Sequence, residues 1–243
     1  MRRKPFLRPL DVFLILVIGL MAGALVGLGM QAAQPKLEPT VGYTVTMAVP
    51  AVDNKGNGVA TSLVVETKKG NGKTLANIDV LLFWVDTQQS IQTARGVAEE
   101  ITGIGTGSID LIYGIDARNV SLVGGPSAGA ALTVATIAAL RGEQPKGDVM
   151  ITGTIEANGT IGPVGGILEK ARAAKAAGMT VFLVPTGESV ESVTEPVETC
   201  TKKPGFVYCE KTYKRRLINV SDEVGITVKE VSDINDALPY FFQ

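Results

Sequence analysis

The sequence contains no histidine. That single absence removes the Ser-His-Asp triad, the Cys-His pair and every His-ligated metal centre. Aromatic residues make up only 5% of the 243 positions, and no aromatic-plus-basic motif of RNA recognition is present. Neither sign of charge is in excess. The formal net charge is −1, which gives no electrostatic footprint for nucleic acid. Cysteine is limited to two residues, and neither can act as a nucleophile of the usual type without a histidine base. No metal and no cofactor are expected. What is abundant is Gly, Ala and Val, a mixture suited to a tightly packed mixed α/β (α+β) domain.

The N-terminal segment 1–11 is basic, with Arg2, Arg3, Lys4 and Arg8, and 12–30 follows as 19 residues without a charge. At 1.5 Å per residue that run just spans a bilayer core of about 30 Å. A cleaved signal peptide is the competing reading, but its apolar core is usually shorter, roughly 7–15 residues. The sequence therefore predicts one transmembrane helix over 12–30, in the cell membrane, with the N-terminus inside and the rest outside. Residues 31–40, with Pro35 and Pro39, read as a tether to a domain over 41–243.

Within that domain, 43–49 and 58–66 alternate like strands, and Asp53-Asn54-Lys55-Gly56-Asn57-Gly58 supplies a hairpin turn between them. Gly70-Asn71-Gly72-Lys73-Thr74 resembles the end of a phosphate-binding loop. Thr67 stands where that pattern needs its first glycine, so the segment reads as a hairpin turn with no nucleotide site. Residues 78–85 read as a strand, 87–102 as a helix capped by Thr87 and 109–115 as another strand, after which 120–123 leads into the next glycine-rich turn. Near the C-terminus, 226–231 reads as a last strand and 234–241 as a short helix.

Gly124-Gly125-Pro126-Ser127-Ala128-Gly129 forces a sharp turn into a helix, because glycine admits positive φ and proline presets a helical φ. Residues 128–140 carry no charge and small side chains on most faces, which predicts a helix buried all round. Ser127 at its start is either a cap for that helix or a nucleophile. In the second case the Ala128 backbone N–H is the candidate oxyanion donor. Without histidine the base must be another group, and a lysine with its pKa lowered by burial is the usual substitute. No serine has a lysine three positions on, which excludes the Ser-x-x-Lys arrangement. Lys170 falls on the stripe of Ile167, Ala171 and Ala174 in a helix starting near Gly166, an apolar place for an amine. It is either a snorkelling lysine or a desolvated base.

Gly125-Pro126-Ser127-Ala128-Gly129, Thr152-Gly153-Thr154-Ile155, Gly159-Thr160-Ile161-Gly162-Pro163-Val164-Gly165-Gly166 and Glu169-Lys170 occur in that order, followed by 181–185. The set resembles the proteolytic domain of Lon protease, closely over 120–185 and more loosely on either side. Lys170 lies 43 positions after Ser127, as the family's lysine lies after its serine. The resemblance implies a serine endopeptidase with Ser127 as nucleophile, Lys170 as general base and Thr152 orienting the lysine. It also implies polypeptide substrates, a compact mixed α/β fold and assembly into a homo-oligomeric ring. Two departures accompany it. Gly124 stands where the family often has an acidic residue, and nothing resembles the family's ATPase domain. Cleavage without ATP is therefore expected. The alternatives are a non-catalytic, membrane-anchored binding module that keeps the fold, and a protease that processes its own tether.

An insert at about 188–216 runs from acidic (Glu188, Glu191, Glu195, Glu198) to basic (Lys211, Lys214, Arg215, Arg216) and reads as a solvated loop. Cys200 and Cys209 lie within it and are a disulfide candidate if the domain is outside the cytoplasm. Asn119, Asn158 and Asn219 each open an Asn-x-Ser/Thr triplet.

Overall fold

The computed structural model describes residues 37–77, 85–116 and 125–242, with Leu10 and Phe13. The expected membrane helix at 12–30, the basic segment 1–11 and the strand at 78–85 lie outside these residues, apart from single positions, as does the lead-in at 120–123. Among the described residues, no helix is long and apolar enough to cross a membrane.

Strand β1 (Thr44–Val52) pairs antiparallel with β2 (Gly58–Lys69), in register from Thr44 against Glu66 to Val52 against Gly58. Alternate residues Val45, Met47, Val49 and Ala51 of β1 point into the core, as the period-2 pattern predicts. The connecting turn is held by Asp53, whose carboxylate accepts from the Lys55 and Asn57 amides, both at 2.8 Å.

The expected second hairpin at 70–74 does not form. Strand β3 (Thr74–Ala76) leaves β2 and pairs in parallel with β4 (Ile109–Asp116), which itself pairs antiparallel with β2. The sheet order is β1-β2-β4-β3. Asp110 of β4 fixes the 70–74 turn by accepting from the Asn71 and Lys73 amides, so a carboxylate occupies the backbone donors that a phosphate would need.

Helix α1 (Val85–Thr102) buries Ile91, Ala94, Val97 and Ala98, the stripe expected from helical spacing. It begins two residues before Thr87, so Thr87 is not its cap. Helix α2 (Gly129–Arg141) is buried at every residue from Gly129 to Leu140, as its uncharged sequence predicts. It meets the sheet through Thr136 Oγ1, 2.9 Å from the phenol of fully buried Tyr113. Because Thr136 donates its own proton to the Leu132 carbonyl, the Tyr113 hydroxyl is the donor in that pair. Before β1, the Thr40 amide donates to the Leu140 carbonyl at 3.1 Å, which fastens the end of the tether to the end of α2.

A second layer is a parallel sheet of order β11-β8-β5, from β5 (Val149–Ile151), β8 (Val181–Pro185) and β11 (Thr227–Val231). Short strands β6 (Thr154–Ile155) and β7 (Ile161–Gly162) form a separate antiparallel pair. Helix α3 (Ile167–Ala176) joins β5 to β8 across the sheet, and its Ile167, Leu168, Ala171 and Ala174 pack with Met150, Phe182 and Val184. Ala48 of β1 packs on the same cluster, so α3 is held between the two layers. The C-terminal helix closes the main core with Ile234, Ala237 and Phe241.

The 188–216 insert is not a loop. Strands β9 (Val190–Lys203) and β10 (Phe206–Asn219) form a two-stranded antiparallel ribbon, 14 residues on each side. It pairs with no other strand among the described residues. Ile218 at its base is buried, while Tyr213 and Leu217 are 67% and 73% exposed.

Candidate functional site

Ser127 is the middle residue of a 3-10 turn, Pro126–Ala128, that leads directly into α2. Gly125 precedes the turn at φ 112°, a conformation open to glycine and costly for other residues. Pro126 occupies the first position, where its missing amide costs nothing. The turn is tied down on both sides. Buried Thr87 donates its hydroxyl to the Gly125 carbonyl at 3.5 Å, which is the task this residue performs instead of capping α1. The Ser127 carbonyl accepts from the Gly153 amide at 3.0 Å and the Thr152 hydroxyl at 3.3 Å. The Ala130 amide returns a bond to the Gly153 carbonyl at 3.0 Å. Ser127 and Ala128 are half-buried and line a cavity of about 40 Å³ with Val49, Pro50, Ala51 and Val52. Gly129 comes so close to β6 that a Cβ there would meet the Ile155 amide nitrogen at 2.7 Å.

Lys170 lies in the first turn of α3 and is 4% exposed. Its expected apolar environment is present. Burial pulls the amine down to about 8, against the opposing pull of Glu188 and Glu191, which favour its charged form. Glu188 in turn is pushed above the ordinary carboxylate range by its own burial, partly offset by the Val164 amide and Lys170. These two glutamates were legible only as members of an acidic run. Val52, which lines the cavity beside Ser127, also lies against Gly166 at the start of α3, so the end of β1 borders both elements.

Thr152 is buried, its amide bonded to the Leu183 carbonyl at 3.1 Å. Its hydroxyl donates to the Ser127 carbonyl, so the structure places it on the serine's backbone and leaves its lone pairs as acceptors. Cys200 and Cys209 face each other across the ribbon and are joined as a disulfide. They also form, with Glu198, the group of metal-type side chains among the described residues, but disulfide sulfurs are not thiolate ligands.

The stretch that contains Ser127, Thr152, Lys170 and the two cysteines also carries similarity to known proteins. Residues 122–213 match the Lon protease (S16) C-terminal proteolytic domain. The chain is 32% identical over 173 residues to the archaeal Lon protease of Methanocaldococcus jannaschii, covering 68% of this chain and 26% of that protein. It is 43% identical over 74 residues to the Lon protease of Lawsonia intracellularis, 30% of this chain and 9% of that one. With the Lon protease of Methylocella silvestris it shares 40% identity over 87 residues, 36% of this chain and 11% of that one. The chain thus spans between a tenth and a quarter of the length of these relatives. Its mixed α/β architecture is consistent with a Lon-type proteolytic domain.

Proposed function

We propose that this chain is a serine-type endopeptidase in which Ser127 is the nucleophile and Lys170 the general base. The observation that carries the reading is a buried amine whose burial pulls its pKa down to about 8, within the same Lon-type segment as a serine fixed in a glycine-proline turn. Near neutral pH such an amine is partly unprotonated and can accept a proton from a hydroxyl.

In the proposed reaction the Ser127 hydroxyl oxygen attacks a peptide carbonyl carbon as its proton passes to the Lys170 amine. The negative charge on the carbonyl oxygen is met by backbone N–H groups of the turn at Ala128, where helix-start donors converge. The resulting ammonium returns the proton to the departing amine as the C–N bond breaks, leaving an ester on Ser127. Water then attacks the ester with Lys170 again taking the proton, and as the C–O bond to Ser127 breaks the ammonium returns that proton to Ser127 Oγ and the acid product leaves. The substrates are unfolded or exposed polypeptide segments, and cleavage proceeds without ATP. The uncharged run 12–30 and the Cys200–Cys209 bond support a membrane anchor with the domain outside the cytoplasm.

Digestion of casein by the wild type, Ser127→Ala and Lys170→Ala, each with and without ATP, tests this. Both substitutions are expected to abolish cleavage while the circular dichroism spectrum is kept, and ATP is expected to make no difference. Unchanged cleavage by either variant overturns the assignment and leaves a binding module. Shortening of the wild-type chain alone would mark self-processing by the same pair.

A further inference from the structure

Glu188 and Glu191 belong to an acidic run, yet the structure turns both toward α3. The Glu188 carboxylate accepts from the Val164 amide with both oxygens, at 3.0 and 3.3 Å. The Glu191 carboxylate accepts from the Leu168 amide at 2.8 Å. Val164 and Leu168 lie on the two sides of the Gly165-Gly166 pair that starts the helix, so the two acids bridge the turn. Helix α3 has no capping side chain of its own; the Glu191 anion meets the amide of its second residue, Leu168, and Glu188 holds the turn just before it at Val164. Lys170 is one turn further on, its amide bonded to the Gly166 carbonyl at 3.0 Å. A shift of that turn shifts the amine.

Among the described residues, the charges that act on this amine are those two carboxylates. Strands β1 and β8, which pack on α3, carry no ionisable side chain. Glu66, Lys68 and Lys69 sit at the far end of β2 from Gly58. On α3 itself, Lys175 donates to the Val224 carbonyl, Glu169 is half-buried and Arg172 is exposed. Of the helix that follows β10, Glu223 pairs with Arg216 and Asp222 lies exposed beyond it. The charges that act on Lys170 are Glu188 and Glu191.

We propose that Glu188 and Glu191 are positioning residues that clamp the start of α3, fix the Lys170 amine and set the pH at which it gives up its proton. Its kinetic consequence rests on the Ser127–Lys170 reading, whereas its effect on the amine does not. Each acid favours the ammonium, so removing its charge makes the amine lose its proton at lower pH.

The test is a pH titration of the Lys170 ε-carbon by NMR in the full-length protein with 13C-labelled lysine, assigned through Lys170→Arg, alongside pH profiles of kcat/KM. In Glu188→Gln and Glu191→Gln the side-chain carbonyl still accepts from the backbone amide, but the charge is gone. The expected result is a lower titration midpoint in each, by about half a pH unit or more, with Glu188→Asp restoring the wild-type value. The acid limb of kcat/KM should move down by the same amount. A midpoint unmoved in both Gln variants overturns the proposal, and either variant alone decides it if the other fails to fold. A midpoint that moves while the kinetic limb stays fixed upholds the clamp and overturns Lys170 as the base.

Discussion

At the scale of single residues, Lys170 shows a conflict between stability and chemistry. Its amine titrates at about 8 in the folded protein and near 10.4 in an unfolded chain. Below pH 8 both states hold the proton, and the folded one bears the full cost of an ammonium out of water. Between pH 8 and about 10.5 the unfolded chain holds a proton that the folded one has released, so stability rises with pH across that window. Lys170→Met should therefore stabilise the domain near pH 7 by on the order of 1–3 kcal/mol. That advantage should shrink to near zero once the pH passes 10.5. Urea unfolding of both proteins from pH 6 to 11 measures the gap, and a gap independent of pH would show that the amine is not desolvated. Cleavage by the wild type should rise with pH up to about 8 and then level, since only the neutral amine accepts a proton.

The residues differ in how far the sequence revealed them. Lys170 was readable because an amine on an apolar stripe violates the helical pattern. Glu188 and Glu191 were not, because their partners are backbone amides 24 and 23 positions away, and no periodicity encodes such a bond. Thr87 was readable as a polar residue at a helix start. Its actual partner, the Gly125 carbonyl, is set by how α1 lies on α2.

At the scale of elements, α2 positions Ser127 by being immobile. Every residue from Gly129 to Leu140 is buried, and the first of them meets the backbone of β6. A methyl group at Gly129 would sit 2.7 Å from the Ile155 amide nitrogen, an atom that cannot swing aside. Gly129→Ala should push the start of α2, and with it the serine turn, away from β6. The expected outcome is a destabilisation of about 1–3 kcal/mol and at least a tenfold slower reaction of Ser127 with a fluorophosphonate, followed by mass spectrometry. Labelling at the wild-type rate would mean that the turn is set independently of this contact.

Elements built from local pattern were legible: α2 from its lack of charge, α1 from its spacing, and the β1–β2 hairpin from its turn. Those whose partners are remote were not. Strand β3 joins β4 in parallel, a pairing that depends on where the chain returns 37 residues later in register, Thr74 against Leu111, and not on any residue at 70–74. Asn219, read as part of an acceptor triplet, instead accepts from the Ser221 and Asp222 amides and starts the short helix that follows β10. The ribbon itself escaped notice because both of its faces are solvated, which erases the alternation that identifies a half-buried strand.

At the scale of the whole molecule, the main domain and its ribbon should behave as separate cooperative units. The disulfide joins exposed positions within the ribbon, away from both hydrophobic clusters. Its constraint therefore acts on local opening rather than on the core. Reduction, or Cys200→Ser with Cys209→Ser, should leave the calorimetric Tm within about 2 °C, while proteolytic nicking inside β9–β10 accelerates severalfold. A fall in Tm beyond about 5 °C would mean that the ribbon is integral to the core.

With 14 residues per strand at about 3.3 Å each, the ribbon extends roughly 45 Å. Among the described residues no other strand pairs with it, so it acts mechanically as a crank. Torque applied near Phe206 arrives at Glu191, the second residue of β9 and the grip on the first turn of α3. A load at the far end of this arm is therefore expected to bear on the helix that carries the buried amine.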